Sequence, residues 1–341
     1  MGVGEAEACR IATLFAIGGE SRSVEPFGGG HINESWRVTA PDGRRYLLQR
    51  LNGRVFPEPR KVMENLSRVT RHLDGPLRLV PTEAGSWWHE DGGACWRLFS
   101  FIEGSSAVAL ARSPDQAWAA ARAFGEFQRR LADLPGPRLH ETIPGFHDTP
   151  ARVAALERAA EADCASRRAA AEPELAALLS PERRGLARAL DSLGVDASSA
   201  GRVVHNDAKI ANVLFDESGS AALCVVDLDT VMPGLALHDY GDLARSTASA
   251  SDEDAAPEAV SVRREYLHAL TAGFLEGTGG LSAAERELLP AAARVITYEQ
   301  AVRFLADHLD GDRYYRVAHA GQNLDRCRSQ IALLDAFEGL G

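Results

Sequence analysis

The spacing of apolar positions changes character near residue 104. Over residues 5–18, Ala8, Ile11, Ala12, Leu14 and Phe15 recur at helical spacing and predict an opening helix. Short β-type runs follow. Trp36-Arg37-Val38-Thr39 reads as a strand, Pro41-Asp42-Gly43 as a turn and residues 46–51 as the return strand of a hairpin. Residues 58–73 interrupt with one apolar helical stripe of Val62, Met63, Leu66, Val69 and Leu73, and Glu64 lies beside it. Two short strands are expected near 77–80 and 86–89, and a third over 95–102, ending at Glu103-Gly104. Past that point the chain is Ala-rich with helical period over 114–132, 148–169 and 172–192, broken at Pro135-Gly136-Pro137 and at Pro173. Further helices are expected near 239–248, 257–276, 282–309 and 313–336, with a polar, acidic loop over 249–258. The pattern implies an α+β chain with two lobes. Residues 1–103 form a small β-rich lobe with one helix, residues 104–341 a large helical lobe, and the hinge falls at about 99–104.

Composition narrows the class. A chain of 341 residues can build two proper cores. Its net charge of −11 disfavours nucleic acid and anionic membrane surfaces as partners. Cys9, Cys95, Cys164, Cys224 and Cys327 are scattered and form no C-x-x-C pair, so neither a zinc site nor a disulfide framework is expected. Residues 1–10 have no basic signal-peptide start, and no run of 18 apolar residues occurs. A soluble cytoplasmic protein with no obligate protein partner is the expectation.

The chemistry concentrates in residues 202–230. A β-branched run, Val203-Val204, leads into His205-Asn206-Asp207, followed by Lys209 and Asn212. A second apolar run, Leu223-Cys224-Val225-Val226, delivers Asp227 and Asp229. This H-x-D-x-K-x-x-N pattern with a later aspartate is the kinase arrangement of base and magnesium ligands. Phosphoryl transfer needs positioning, charge neutralisation and a group to take the hydroxyl proton. Asp207 is the candidate base or orienting carboxylate, and His205 braces the loop. Asn212 and Asp227 supply hard oxygen ligands for Mg2+. Asp229 has the same side-chain phase as Asp227 and is a second ligand or a bracing group. Lys209 meets the transferred phosphoryl oxygens or is a surface lysine.

The kinase order continues upstream. Gly28-Gly29-Gly30 lies between extended segments, and a turn of this kind lets backbone N–H groups approach phosphates; a plain hairpin reads equally well from the glycines alone. No lysine stands on the following strand. Arg50 is favoured as the phosphate-binding basic residue, with Gln49 as the alternative, and Glu64 is its candidate helix partner. Phe101 and Ile102 at the hinge are candidates for the adenine site, and core packing suits them as well. A protein kinase would need a long peptide-docking segment after Asp229. Here Pro233-Gly234 and His238-Asp239-Tyr240-Gly241-Asp242 follow almost at once, so a small-molecule acceptor is favoured. A non-catalytic nucleotide-binding module would have lost Asp207, Asn212 or Asp227. Asp242 and Arg245 read as a structural pair, and Asp239 as a helix-start cap.

With these residues in order, the chain resembles the aminoglycoside phosphotransferase and choline kinase superfamily over most of its length. The resemblance implies a protein-kinase-like two-lobe fold with ATP at the hinge. Within it, Phe27 to Asn33, Leu48 to Asn52, Val62 to Asn65, His205 to Lys209, Val226 to Gly234 and Arg303 to Tyr315 are similar to the bacterial N-acetylhexosamine 1-kinases. That similarity implies ATP and Mg2+ as cofactors and the anomeric hydroxyl of GlcNAc or GalNAc as acceptor. It also implies sugar contacts from Arg303 and Tyr314. His31 is a further candidate from its place in the Gly-rich segment, and a surface turn histidine reads equally well there. Arg303, Asp307 and His308 share one helix face, which equally suits an interior Arg–Asp pair. An aminoglycoside or another small hydroxylated metabolite is the alternative acceptor.

Overall fold

The structure, a computed structural model, describes residues 4–28, 32–193 and 202–340. The chain divides into two compact units. The first comprises Met1–Ser105, Asp133–Ile143 and Val226–Val231, and the second Ser106–Ala132, Pro144–Val225 and Met232–Gly341. Two short later segments thus join the unit that the hydrophobic pattern confines to residues 1–103.

The first unit is built on a sheet. Its elements are α1 (Glu5–Ala12), β1 (Ser23–Pro26), β2 (Glu34–Thr39), β3 (Arg45–Arg50), α2 (Pro59–Leu73), β4 (Leu79–Val80), β5 (His89–Asp91) and β6 (Ala94–Ser100). The strand order is β1-β2-β3-β6-β4, with β5 also on β6, and all these pairs are antiparallel. Alternation decides the faces. Trp36, Leu48 and Leu98 lie opposite one another across β2, β3 and β6 and join the core with Ile11, Phe15 and Val38. One residue along, Ser35, Gln49 and Arg97 lie opposite one another on the other face. The opening helix is shorter than its apolar spacing suggests. Leu14 and Ala16 exchange backbone hydrogen bonds with Glu83 and Pro81, and Phe15 bridges Thr82, so strand-like pairing takes the end of the apolar stripe.

The second unit is larger and mainly helical. It contains β7 (Ser105–Ala107), α3 (Pro114–Arg130), α4 (Thr149–Ala162), α5 (Glu172–Leu178), α6 (Pro181–Leu186), β8 (Arg202–Val204), β9 (Val213–Asp216), β10 (Ala222–Val225) and β11 (Met232–Gly234). It ends with α7 (Ala236–Thr247), α8 (Arg264–Thr278), α9 (Ala283–Glu287), α10 (Leu289–Leu309) and α11 (Gln322–Glu338). Several expected helices are interrupted for local reasons. The helix over 148–169 stops at Ala162, where Asp163 turns left-handed and its carboxylate accepts the amides of Arg167 and Arg168. Pro181 opens a separate helix within 172–192 behind the Ser180 cap, and Pro290 does the same within 282–309. Over 313–336 the helix starts only at Gln322, because the Asp307 carboxylate takes the amides of Arg313, Tyr314 and Tyr315.

Glycines let α3 and α8 approach closely. A Cβ on Gly273 of α8 would lie 2.2 Å from the Trp118 carbonyl oxygen of α3, and one on Gly277 would lie 2.3 Å from that of Arg122. Backbone therefore meets backbone along this pair. Among the described residues, no helix is long and apolar enough to cross a membrane.

Candidate active site

The H-x-D segment leaves β8, where Val204 is buried, and enters a turn held from several sides. Asn206 adopts φ +64°, a left-handed conformation that asparagine tolerates better than most side chains. The Asp239 carboxylate of α7 accepts the amides of His205 at 2.9 Å and Asn206 at 2.7 Å. It also accepts the Gln128 amide at 2.7 Å. Asp239 is therefore a buried brace for this loop rather than the helix cap expected from its position, and burial pushes its carboxyl up from the ordinary range. The His205 ring packs edge-on against Phe124 and Phe127, and its Nδ1 accepts the Asp207 amide at 3.3 Å. Asp242 and Arg245 form the expected structural pair at 2.7 Å, both buried.

Asp207 is the focus of the loop. Its Oδ2 accepts from Lys209 Nζ at 2.9 Å and from Asn212 Nδ2 at 3.0 Å. Burial opposes its charge, but the Lys209 ammonium, with His205 and Asn212, outweighs burial and holds the carboxyl well below the usual carboxylate range. Asn212 also donates to the Asp207 carbonyl at 2.9 Å, so its amide nitrogen is committed, and its Oδ1 meets no donor among the described residues. Asp207, Lys209 and Asn212 are thus brought together as the spacing implies.

Arg303 belongs to the same unit. Its guanidinium lies over Phe146 at 4.8 Å, Tyr315 at 5.7 Å and Tyr314 at 5.8 Å, measured to ring centroids. It donates to Gln300 Oε1 at 3.3 Å and has no carboxylate partner among the described residues. Burial opposes its charge; Tyr315, Tyr314, Glu299 and Asp207 outweigh burial and raise its pKa. Asp207 therefore lies within its electrostatic reach. Tyr314 is exposed. Asp307 does not pair with Arg303. It organises the 313–315 turn and accepts Asn323 Nδ2 at 2.9 Å. His308 is buried, and neither ring nitrogen has a hydrogen-bond partner among the described residues.

In the first unit, Asp227 is exposed and takes φ +62° at the start of a single 3-10 turn, Leu228–Thr230. Asp229 is buried. Its carboxylate is engaged bidentately by Arg97 and accepts Asn33 Nδ2 at 2.7 Å, and its carbonyl accepts the Thr142 hydroxyl at 2.8 Å. Of the two roles open to Asp229, these contacts match bracing, not metal ligation. The expected Arg50–Glu64 pair is not formed. Arg50 pairs with its cross-strand neighbour Glu34 at 3.0 Å, and Glu64 meets His140 at 2.7 Å. Gln49 instead accepts Arg97 Nε at 3.0 Å and Nη2 at 2.8 Å and donates to Ser35 at 3.1 Å. Phe101 packs edge-on to Phe27 at 5.3 Å, and the Ile102 carbonyl accepts the Ser105 hydroxyl at 2.6 Å. Gly28 has φ +77° and open space where a Cβ would stand. Gly29, Gly30 and His31 lie outside the described residues.

Three side chains of these networks escape the motif pattern, and a different signal marks two of them. Arg97 is the lone charge in the apolar run of β6, and Glu299 the lone carboxylate in the apolar middle of α10. Charges isolated in apolar segments must find partners, which makes them markers of buried networks. The third, His147, lies between α3 and α4 and bonds Glu299 at 2.8 Å and the Asn206 carbonyl at 2.9 Å.

Each unit carries a hard oxygen of the kind magnesium takes. In the second unit this is Asn212 Oδ1, which has no donor among the described residues, and in the first it is the exposed carboxylate of Asp227. Among the described residues no group of three or more His, Cys, Asp or Glu converges to cage an ion. Magnesium that shares phosphate oxygens needs only one or two protein carboxylates, so such a cage is not required.

The chain is similar to known proteins in sequence and in fold. The model of the phosphotransferase enzyme family matches residues 23–286. Among solved structures, a spectinomycin phosphotransferase bound to ADP and spectinomycin superposes with a TM-score of 0.67 at 11% identity, covering 99% of each chain. An amicoumacin kinase with AMP-PNP and Ca2+ gives 0.64 at 13% identity, over 99% of this chain and 98% of that one. A putative fructosamine-3-kinase from Thermobifida fusca gives 0.54 at 18% identity, over 98% and 100%. The fold is therefore kinase-like, with a sheet-based first unit and a larger helical second one.

Proposed function

The chain belongs to the phosphotransferase enzyme family, and on that premise we propose an ATP- and Mg2+-dependent kinase that phosphorylates the anomeric hydroxyl of an N-acetylhexosamine. The observation that carries the kinase assignment is the Asp207 carboxylate, held ionised by Lys209 and steadied by Asn212 on a loop braced by Asp239. Asp207 orients the acceptor hydroxyl and takes its proton. The sugar oxygen forms a bond to the γ-phosphorus as the bond from that phosphorus to the ADP oxygen breaks. Lys209, already on Asp207, turns to the transferred phosphoryl oxygens. Asn212 Oδ1 and the Asp227 carboxylate are the protein ligands that would hold the metal. The chemistry Mg2+ would supply when bound is to offset the charge of the phosphate oxygens. Phe101 and Ile102, with Phe27 beside Phe101, supply apolar surface for adenine, and Gly28, with open space where a Cβ would stand, lets phosphate approach the backbone.

The acceptor assignment rests on the segments similar to N-acetylhexosamine 1-kinases and on the Arg303 environment. A guanidinium framed by Phe146, Tyr314 and Tyr315, with no carboxylate to satisfy it among the described residues, offers donors for sugar oxygens beside aromatic faces for the ring. A panel of GlcNAc, GalNAc, other hexoses and aminoglycosides, scored for ADP release and followed by ³¹P NMR, tests the proposal. Sugar 1-phosphate from GlcNAc or GalNAc is expected. A 6-phosphate, or kanamycin turnover with none of either hexosamine, overturns the acceptor.

A further inference from the structure

His147 makes two hydrogen bonds that together set its chemistry. Nε2 lies 2.9 Å from the Asn206 carbonyl oxygen and Nδ1 lies 2.8 Å from Glu299 Oε1. A carbonyl can only accept, so Nε2 carries a proton. The other Glu299 oxygen accepts the Thr149 hydroxyl at 2.6 Å, and Arg303 lies one helical turn beyond Glu299, so Glu299 is the ionised partner and Nδ1 carries a proton too. His147 is an imidazolium, buried with its counter-ion. The charged and titratable groups facing it are Glu299 and Arg303 from α10 and His238 from α7, whose ring is 4.6 Å away, centroid to centroid. Burial and the neighbouring His147 charge push His238 down to about 3, so it faces His147 as a neutral ring.

We propose that His147 is a positioning residue for phosphoryl transfer, acting through the Asn206 carbonyl to hold Asp207 toward its acceptor. Asn206 is the left-handed residue immediately before Asp207. Its amide is held by Asp239 and its carbonyl by His147, so the peptide linking it to Asp207 cannot rotate without breaking a buried, charge-assisted bond. Such a grip fixes the direction of the Asp207 side chain, which a relaxed αR or β backbone at Asn206 would change. Glu299 acts one step further out by orienting and charging the imidazole, as a carboxylate does for a catalytic histidine.

The inference rests on Asp207 receiving the acceptor proton, and the experiment separates the two. Wild type is assayed first on the acceptor panel, and the best acceptor is used throughout. His147→Phe removes both bonds at similar volume, while His147→Gln keeps an N–H that can reach the Asn206 carbonyl. We expect kcat to fall about 100-fold in the Phe variant with the KM for ATP within about twofold, and the Gln variant to recover to within about tenfold of wild type. A structural role alone would lower stability in both without this split or rescue. Wild-type kcat in the Phe variant, or equal losses in both, overturns the proposal. A second readout needs no acceptor and no variant: ¹⁵N NMR of the wild-type protein at pH 7.5 should show His147 protonated at both ring nitrogens. A neutral ring overturns the proposal even if the Phe variant does not fold. Failure of every acceptor on the panel with a doubly protonated His147 counts against the kinase assignment, not the contact.

Discussion

Arg97 and Asp229 form an ion pair whose side chains are only 2% and 3% exposed. It ties the middle of β6 to the turn that carries Asp227. Asn33 donates to the carboxylate and Gln49 accepts from the guanidinium, so both charges have hydrogen-bond partners beyond each other. Breaking one side of such a pair leaves a buried charge, at a cost of about 3–5 kcal/mol. We expect Arg97→Met to lose that much stability in urea unfolding. Replacing both residues, Arg97→Met with Asp229→Leu, should recover at least half of the loss, because no isolated charge remains. A double variant as unstable as the single one would show that packing, not charge, dominates here.

The α3–α8 contact gives a sharper test of packing. Gly273 and Gly277 face backbone carbonyls, which cannot rotate out of the way as a side chain can. Gly273→Ala should raise helix propensity by about 1 kcal/mol. The clash should outweigh it, leaving a net loss of about 1–3 kcal/mol as the helices are forced apart. Thermal unfolding of Gly273→Ala beside Gly185→Ala, which meets nothing within 4 Å, separates the two effects. A Gly273→Ala protein as stable as wild type would mean that the helices separate without cost.

Local features of the fold and site are legible in the sequence. The hairpin expected over 36–39 and 46–51 forms as β2 and β3, and the H-x-D-x-K-x-x-N spacing brings Asp207, Lys209 and Asn212 together, because local geometry over six residues is set by local sequence. Long-range partners are less legible. The kinase pattern pairs Arg50 with Glu64, yet strand register puts Arg50 opposite Glu34, and Gln49 opposite Arg97. Register between distant strands is decided by which faces bury, which one residue cannot reveal. Helix ends depart from the apolar pattern where a side chain elsewhere claims backbone amides, as Asp307 does at 313–315 and Asp163 does at 167–168. The clamp of His147 and Glu299 spans 152 residues and carries no motif.

The same clamp should shape stability against pH. Burial alone would lower the His147 pKa, but Glu299 outweighs it and raises it above the ordinary 6.5. Its stabilisation is therefore complete below about 6.5 and is lost as pH climbs through the raised value. Burial alone would raise Glu299, but His147 and then Arg303 pull it down from 4.5 to about 2. That contribution is complete above about 4.5 and is lost as pH falls toward 2. The pair thus stabilises fully only between about 4.5 and 6.5. Melting temperatures of wild type and His147→Gln measured from pH 4 to 9 should differ most inside that window and converge on the alkaline side. A difference that grows above pH 7 would contradict the assigned charges.

Asp207→Asn removes the group that takes the acceptor proton while keeping one oxygen to accept from Lys209 and Asn212. The loop itself is held by Asp239 and His147 through backbone atoms, so the substitution should leave the fold in place. We expect turnover to fall by about 10²–10⁴, the usual value of a general base, with ATP binding unchanged within a few-fold. Steady-state kinetics beside a nucleotide-binding titration measure both. Because Lys209 loses its counter-charge in this variant, its ammonium is freer to bind phosphate, and any small change in ATP affinity should be a rise rather than a fall. Near-wild-type turnover would remove Asp207 from the chemistry and leave its Lys209 and Asn212 contacts as structure alone.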